Sequence, residues 1–168
     1  MNSDVITYRK ACLSDLDAIV KIETRSFRED AFSQRQLKYL IRDAKGAFIA
    51  AVLGGIVVGY VSVLTSIKRN GRIYSLAIDF DWRGQGIAES LLDMALVFLR
   101  DQHMRSVFLE VAVDNQAAIS LYEKKHFIKR SIRHQYYHSG ADAYSMLLIL
   151  SDRTVKERRI CDDSCNGR

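Results

Sequence analysis

Apolar positions along the 168-residue chain recur with two different periods, and the change from one to the other predicts the order of elements. From Val5 to Lys10, Val5, Thr7 and Arg9 alternate with Ile6, Tyr8 and Lys10, which predicts an edge strand. Ser14-Asp15-Leu16-Asp17 reads as a helix start with Ser14 as the N-cap. Leu16, Ile19, Val20, Ile22 and Phe27 follow at helical spacing, with Glu23 as one acidic residue near the apolar face. Beyond the polar break Arg28-Glu29-Asp30, the spacing predicts a second helix over 33–42 that turns Leu37, Leu40 and Ile41 inward. An apolar strand over 47–53, a tight turn at Gly54-Gly55, a returning strand over 56–67 and a third over 72–78 predict an antiparallel meander.

Ile87, Ala88, Leu91, Leu92, Ala95, Phe98 and Leu99 then mark a one-sided helix ending near Gln102. The strand over 106–113 comes after this crossover helix, so it is expected to run parallel to the strand ending at Ile78. A helix over 115–125 presents Ala118, Leu121 and Tyr122, and stretches 127–135 and 144–150 form a last hairpin around Ser139-Gly140. Periodicity stops after Leu150. Residues 1–150 are therefore expected to be one domain, and 151–168 a mobile or loosely docked polar tail.

Charge and cysteine content narrow the function classes. The net charge of +5 is modest, and its one local cluster is Lys129, Arg130, Arg133 and His134. A nucleic-acid surface needs a denser basic face, so no direct nucleic-acid partner is expected. Every apolar stretch is interrupted before it reaches membrane-span length, and Met1-Asn2-Ser3-Asp4 has no signal-peptide pattern. The expectation is a cytoplasmic protein without a membrane partner. Cys12, Cys161 and Cys165 are odd in number and irregular in spacing, so free thiols are expected. His103, His126, His134 and His138 show no ligand spacing, and no metal is expected.

The chemistry is concentrated at Leu76-Ala77-Ile78 and the turn Arg83-Gly84-Gln85-Gly86 before Ile87. Glycines let a ligand approach the backbone, and the unpaired N–H groups of a helix's first turn attract anions. A dinucleotide fingerprint would need glycine where Glu89 stands, and a P-loop would need Gly-Lys-Ser/Thr. Arg83, Gly86 and Ala88 fit a third pattern, Arg/Gln-x-x-Gly-x-Gly/Ala, which resembles the pyrophosphate loop of the GCN5-related N-acetyltransferases.

The resemblance continues through Leu109-Glu110-Val111, Asn115-x-x-Ala118-x-x-Leu121-Tyr122 and Phe127. Ile22-Glu23-x-x-Ser26-Phe27 and Tyr136-Tyr137 with Asp142-Ala143-x-x-Met146 are similar to the bacterial branch that acetylates the N-terminal alanine of ribosomal protein S18. Phe80 stands where the family often has proline, His126 where it has glycine, and 28–33 only loosely matches the branch's Pro-Trp-Ser.

The resemblance implies an α/β (α+β) GNAT fold, with a central mixed, mostly antiparallel sheet flanked by helices. It implies acetyl-CoA as cosubstrate and transfer of its acetyl group to a protein N-terminal α-amine by direct attack, in a monomer. The backbone of Leu76, Ala77 and Ile78 would pair with the pantetheine arm. Arg83, Gly84, Gln85, Gly86, Ile87, Ala88 and Glu89 would cradle the pyrophosphate, and Asn115 would touch the cofactor from the next helix. Tyr122 would be the general acid toward sulfur; the alternative is a core aromatic. Glu110 would be the general base, with a raised pKa inside an apolar strand; the alternatives are that it alternates outward or pairs with a nearby arginine. Glu23, Tyr136 and Tyr137 would line the acceptor site, between the loop 28–32 and the hairpin 138–141, or serve as surface charge and strand packing. An acceptor that is a small amine, a polyamine or a lysine, and a non-catalytic acyl-CoA sensor, stay open beside this reading.

Overall fold

The computed structural model describes residues 5–150. Seven strands form one sheet in the order β1-β2-β3-β4-β5-β7-β6. They are β1 (Thr7–Lys10), β2 (Gly46–Leu53), β3 (Ile56–Thr65), β4 (Asn70–Ile78), β5 (Ser106–Ala112), β6 (Ile128–Arg133) and β7 (Ala143–Ile149). Four α-helices accompany them: α1 (Leu16–Phe27), α2 (Gln34–Arg42), α3 (Ile87–Asp101) and α4 (Gln116–Lys124). Every neighbouring strand pair is antiparallel except β4–β5, the expected parallel pair. Gly54 and Gly55 both have positive φ, at 54° and 84°, which turns β2 directly into β3.

Side chains alternate across the strands, so the sheet has two apolar faces. On one face Leu91, Leu92, Ala95 and Leu99 of α3 pack against Val61, Val63, Ile73 and Leu109. On the other, Ile19 and Ile22 of α1 and Leu37 and Leu40 of α2 pack against Phe48, Ala50 and Tyr60. Ser33 caps α2 by accepting from the Gln36 amide at 3.3 Å.

The start of α1 differs from the sequence expectation. The chain enters through a 3₁₀ turn at Leu13–Asp15, so the residue before the helix is Asp15 and not Ser14. Asp15 turns its carboxylate back, accepting from the Cys12 amide at 2.9 Å and forming an ion pair with Arg9 at 2.7 Å. The expected polar tail, with Cys161 and Cys165, lies outside the described residues.

The feature that positions the site is the parallel seam. β4 and β5 are in register only at Asn70–Ser106, Gly71–Val107 and Arg72–Phe108. Beyond those residues β4 continues against β3, and β5 against β7. The sheet therefore splits into a wedge that opens toward the end of β4.

Candidate active site

The open end of the wedge leads into the turn between β4 and α3. Phe80–Trp82 form a 3₁₀ turn, and Gly84 and Gly86 follow with φ of 74° and 78°. Gly86 is the N-cap of α3 in the left-handed region, where a side chain would be strained. A Cβ at Gly84 or Gly86 would meet no atom within 4 Å, so the turn presents bare backbone to open space. The first amides of the 15-residue helix α3 lie beside it. These features fit a pyrophosphate, and the unpaired edge of β4 fits an extended arm bearing amide groups.

A cleft of about 450 Å³ joins turn and wedge. Leu76, Ala77, Ile78, Arg83, Gly84, Gly86, Ile87, Ala88, Glu89 and Asn115 all line it, together with Ser26, Phe27 and Tyr122. Gln85 alone of the expected cofactor residues is exposed outside that lining. The Arg83 guanidinium is drawn back onto the protein. Its Nε donates to the Ile78 carbonyl at 3.0 Å, and its plane lies 3.7 Å from the Phe80 ring centroid. Phe80, unusual for the family, thus has a partner. Asn115 accepts from the Ala118 amide at 3.2 Å and so caps α4. Glu89 binds Lys124 at 2.7 Å and Lys125 at 3.0 Å, which ties α3 to α4 and lowers its pKa through those hydrogen bonds. His126 takes φ of 68°, the left-handed geometry that glycine would supply.

Tyr122 is 7% exposed, packs edge to face on Phe127 and lines the cleft. Burial, and the neighbouring Tyr137, hold its hydroxyl proton well above the ordinary phenol range. Tyr137 is pushed up to about 12, first by burial and then by Tyr136, Glu110, Asp30 and Asp114. Glu110 stands on β5 facing two arginines, the alternative that the sequence left open: Arg72 Nη2 at 2.6 Å and Arg133 Nη1 at 3.4 Å. Arg72 Nη2 also donates to the Tyr136 hydroxyl at 3.0 Å. Tyr137, Tyr136, Arg72 and Glu110 are thus linked contact by contact, and Tyr122 lies close enough for Tyr137 to bear on its hydroxyl.

Glu23 sits apart from that group. It is 1% exposed, on the α1 face of the sheet. It accepts from the Tyr60 hydroxyl, from Ser75 Oγ at 3.4 Å and from the Phe32 amide at 2.9 Å. Desolvation raises its pKa to about 7, against the hydrogen bonds from Phe32 and Ser75. Its link to the expected acceptor side is indirect, through Phe32. Asp30 Oδ1 accepts from the His138 amide at 2.6 Å, joining the two loops expected to flank the acceptor.

Arg72 was not among the residues singled out from the sequence. Its signal was faint: by period-two spacing it shares a strand face with Tyr74, and the irregularity that follows turns Leu76 to the opposite face.

A sheet split beside a glycine turn at a helix N-terminus, with a buried tyrosine and a carboxylate at the split, defines an acyl-CoA-dependent acyltransferase. The chain belongs to the acetyltransferase (GNAT) family, whose sequence pattern matches residues 14–127. It is 33% identical over 152 residues to an N-alpha-acetyltransferase of Saccharolobus solfataricus, covering 83% of this chain and 90% of the relative. It is 29% identical over 154 residues to the N-alpha-acetyltransferase RimI of Mycobacterium tuberculosis, covering 86% and 93%. Among solved structures, Ard1 from Thermoplasma volcanium superposes with a TM-score of 0.82 at 30% identity, covering 88% of this chain and 99% of that one. The protein is an acetyl-CoA-dependent N-acetyltransferase.

Proposed function

We propose that the acceptor is the α-amine of a protein N-terminus, with an alanine-initiated ribosomal protein as the first target to test. The observation that carries this reading is the bridge from Asp30 to His138, which joins loop to hairpin beside Tyr137 and Glu110. Two joined loops lined by aromatic side chains suit the free end of a chain. The N-alpha-acetyltransferases among the relatives support the same acceptor. Residues 1–150 are the acting unit, in a cytoplasmic monomer.

Leu76, Ala77 and Ile78 would hold the pantetheine arm along the open edge of β4, and the amides from Gly84 to Glu89 the pyrophosphate. When bound, acetyl-CoA supplies an acetyl group activated as a thioester. Glu110 takes a proton from the acceptor amine, directly or through water. Arg72 and Arg133 fix that carboxylate in place. The task is modest, because an α-amine has a pKa near ~8 and lysine one near ~10.4. Tyr122 keeps its proton at neutral pH and donates it at Oη to the departing sulfur. The Ile78 amide serves as the donor to the thioester oxygen.

The test is thiol release from acetyl-CoA with Ala-, Ser- and Met-initiated peptides, each beside an N-terminally blocked control that contains lysine. Turnover of the free N-termini alone is expected. Turnover of only the blocked peptides would reassign the acceptor to a side-chain amine. Tyr122→Phe should lower kcat by about 10²–10⁴-fold with little change in acetyl-CoA affinity. A fully active Tyr122→Phe enzyme would remove Tyr122 from the acid role.

A further inference from the structure

Two carboxylates are buried among the described residues, Asp15 and Glu23. Asp15 is paired with Arg9, whereas the hydrogen bonds of Glu23 come from neutral groups alone. A buried charge is costly unless its hydrogen bonds offset it, so the groups they hold point to its use. Oε2 accepts from the Tyr60 hydroxyl of β3 and from Ser75 Oγ of β4, and those two hydroxyls are 3.0 Å apart. Glu23 is thereby fastened to the middle of the sheet. Oε1 accepts from the Phe32 amide at 2.9 Å.

That amide falls between the 3₁₀ turn Arg28–Asp30 and α2, outside the hydrogen bonding of both. The Ala31 amide donates to the Arg28 carbonyl at 3.2 Å, and the Ser33 amide to Gln36 Oε1 at 2.9 Å. Among the described residues Glu23 alone serves Phe32. The Phe32 ring lies flat on Tyr74 of β4, with 4.9 Å between centroids and 7° between planes. The Arg72 guanidinium lies 5.3 Å from the Tyr74 centroid, and Arg72 holds Glu110 at 2.6 Å. The contacts thus run from α1 to Glu110 outside the cofactor cleft, which none of Glu23, Phe32 and Tyr74 lines. The loop 28–32 has a separate fastening at Asp30, which accepts from the His138 amide.

We propose that Glu23 is a positioning residue for the acceptor: through the Phe32 amide it holds the Phe32 ring on Tyr74, and so sets the wall that carries Arg72 and Glu110. Acceptor binding then depends on a carboxylate that the acceptor does not touch, and acetyl-CoA binding does not depend on it. This rests on the N-terminal acetyltransferase reading. Leucine fills a similar volume but cannot accept from the amide. Glutamine presents an oxygen at the same reach.

The test uses the full chain, acetyl-CoA and an Ala-initiated peptide. Thiol release gives kcat and peptide KM, and calorimetry gives the acetyl-CoA Kd. Glu23→Leu should raise peptide KM about tenfold, the size expected for one hydrogen bond to a charged group, with kcat changed less and the acetyl-CoA Kd unchanged. Glu23→Gln should return KM close to the wild-type value. Phe32→Ala, at a partly exposed position, should raise KM by about as much as Glu23→Leu, and it reads the same stack if the buried variant does not fold. In the double variant Glu23→Leu should add little to Phe32→Ala, because the two act through one contact.

An unchanged KM in Phe32→Ala or in folded Glu23→Leu would overturn the proposal and leave the N-terminal reading standing. So would a Kd for acetyl-CoA that rises with KM, which marks general damage to the fold. A Glu23→Gln enzyme as impaired as Glu23→Leu, or a full added effect in the double variant, would overturn it too. No peptide turnover by the wild type despite acetyl-CoA binding would defeat both.

Discussion

Glu23 is the least exposed of the acidic residues described, and its environment makes it a pH-dependent cost to the fold. In the folded protein its pKa is raised to about 7, whereas the unfolded chain releases the proton near ~4.3. Below the unfolded value both states are protonated and no penalty exists. As pH rises, the folded state holds the proton longer, so stability falls until the full cost is present above pH 7. That cost is on the order of 3 kcal/mol. Urea unfolding of the wild type and Glu23→Gln at pH 5 and pH 8 should show the variant gaining by about that amount at the higher pH. An equal gap at both values would mean that burial does not perturb Glu23. The sequence placed this carboxylate near an apolar helix face but hid its depth. Burial depends on Tyr60 and Ser75, which arrive from β3 and β4 far along the chain. Arg72 as the partner of Glu110 was concealed likewise, since their contact exists only once β4 lies beside β5.

At the scale of elements, local signals carried further. Gly54-Gly55, the second helix beginning near Ser33 and the turn before α3 were legible because each is decided within a few neighbouring residues. Ser14 misled because a 3₁₀ turn, held by the Arg9–Asp15 pair, moved the helix start by one position. The α3 turn yields a further expectation. Gly86→Ala puts a methyl group where the turn is bare and forces a left-handed φ on alanine, a cost of about 1–2 kcal/mol. Acetyl-CoA affinity by calorimetry should fall more than about tenfold, a loss of roughly 1.4 kcal/mol, while the variant still folds. Unchanged affinity would show that the turn does not hold the phosphates. Phe80 and His126, the departures from the family pattern, leave the architecture intact. One stacks on Arg83, and the other accepts the positive φ that its position demands.

For the whole molecule, the β2–β4 meander, the parallel β4–β5 pair and the last hairpin followed from the order of elements, whereas β1 beside β2 and β7 between β5 and β6 are placements that no local pattern encodes. The mixed sheet follows from one crossover helix, α3, that makes β4 and β5 parallel. Among the described residues no helix is long and apolar enough to cross a membrane.

The short register between β4 and β5 has one more consequence. Strands normally shelter their amide hydrogens on both sides, but past Arg72 and Phe108 alternate amides of β4 and β5 point into the split. Those hydrogens should trade with deuterium from the solvent early, through local opening, while amides facing β3 and β7 wait for larger unfolding. Acetyl-CoA should slow the labelling of β4 selectively and leave the outer edge of β6 as it was. If β4 labels at one rate with and without the cosubstrate, its edge does not receive the arm. Otherwise the catalyst completes its own sheet with a molecule that it consumes, and its middle is mended and reopened in every cycle.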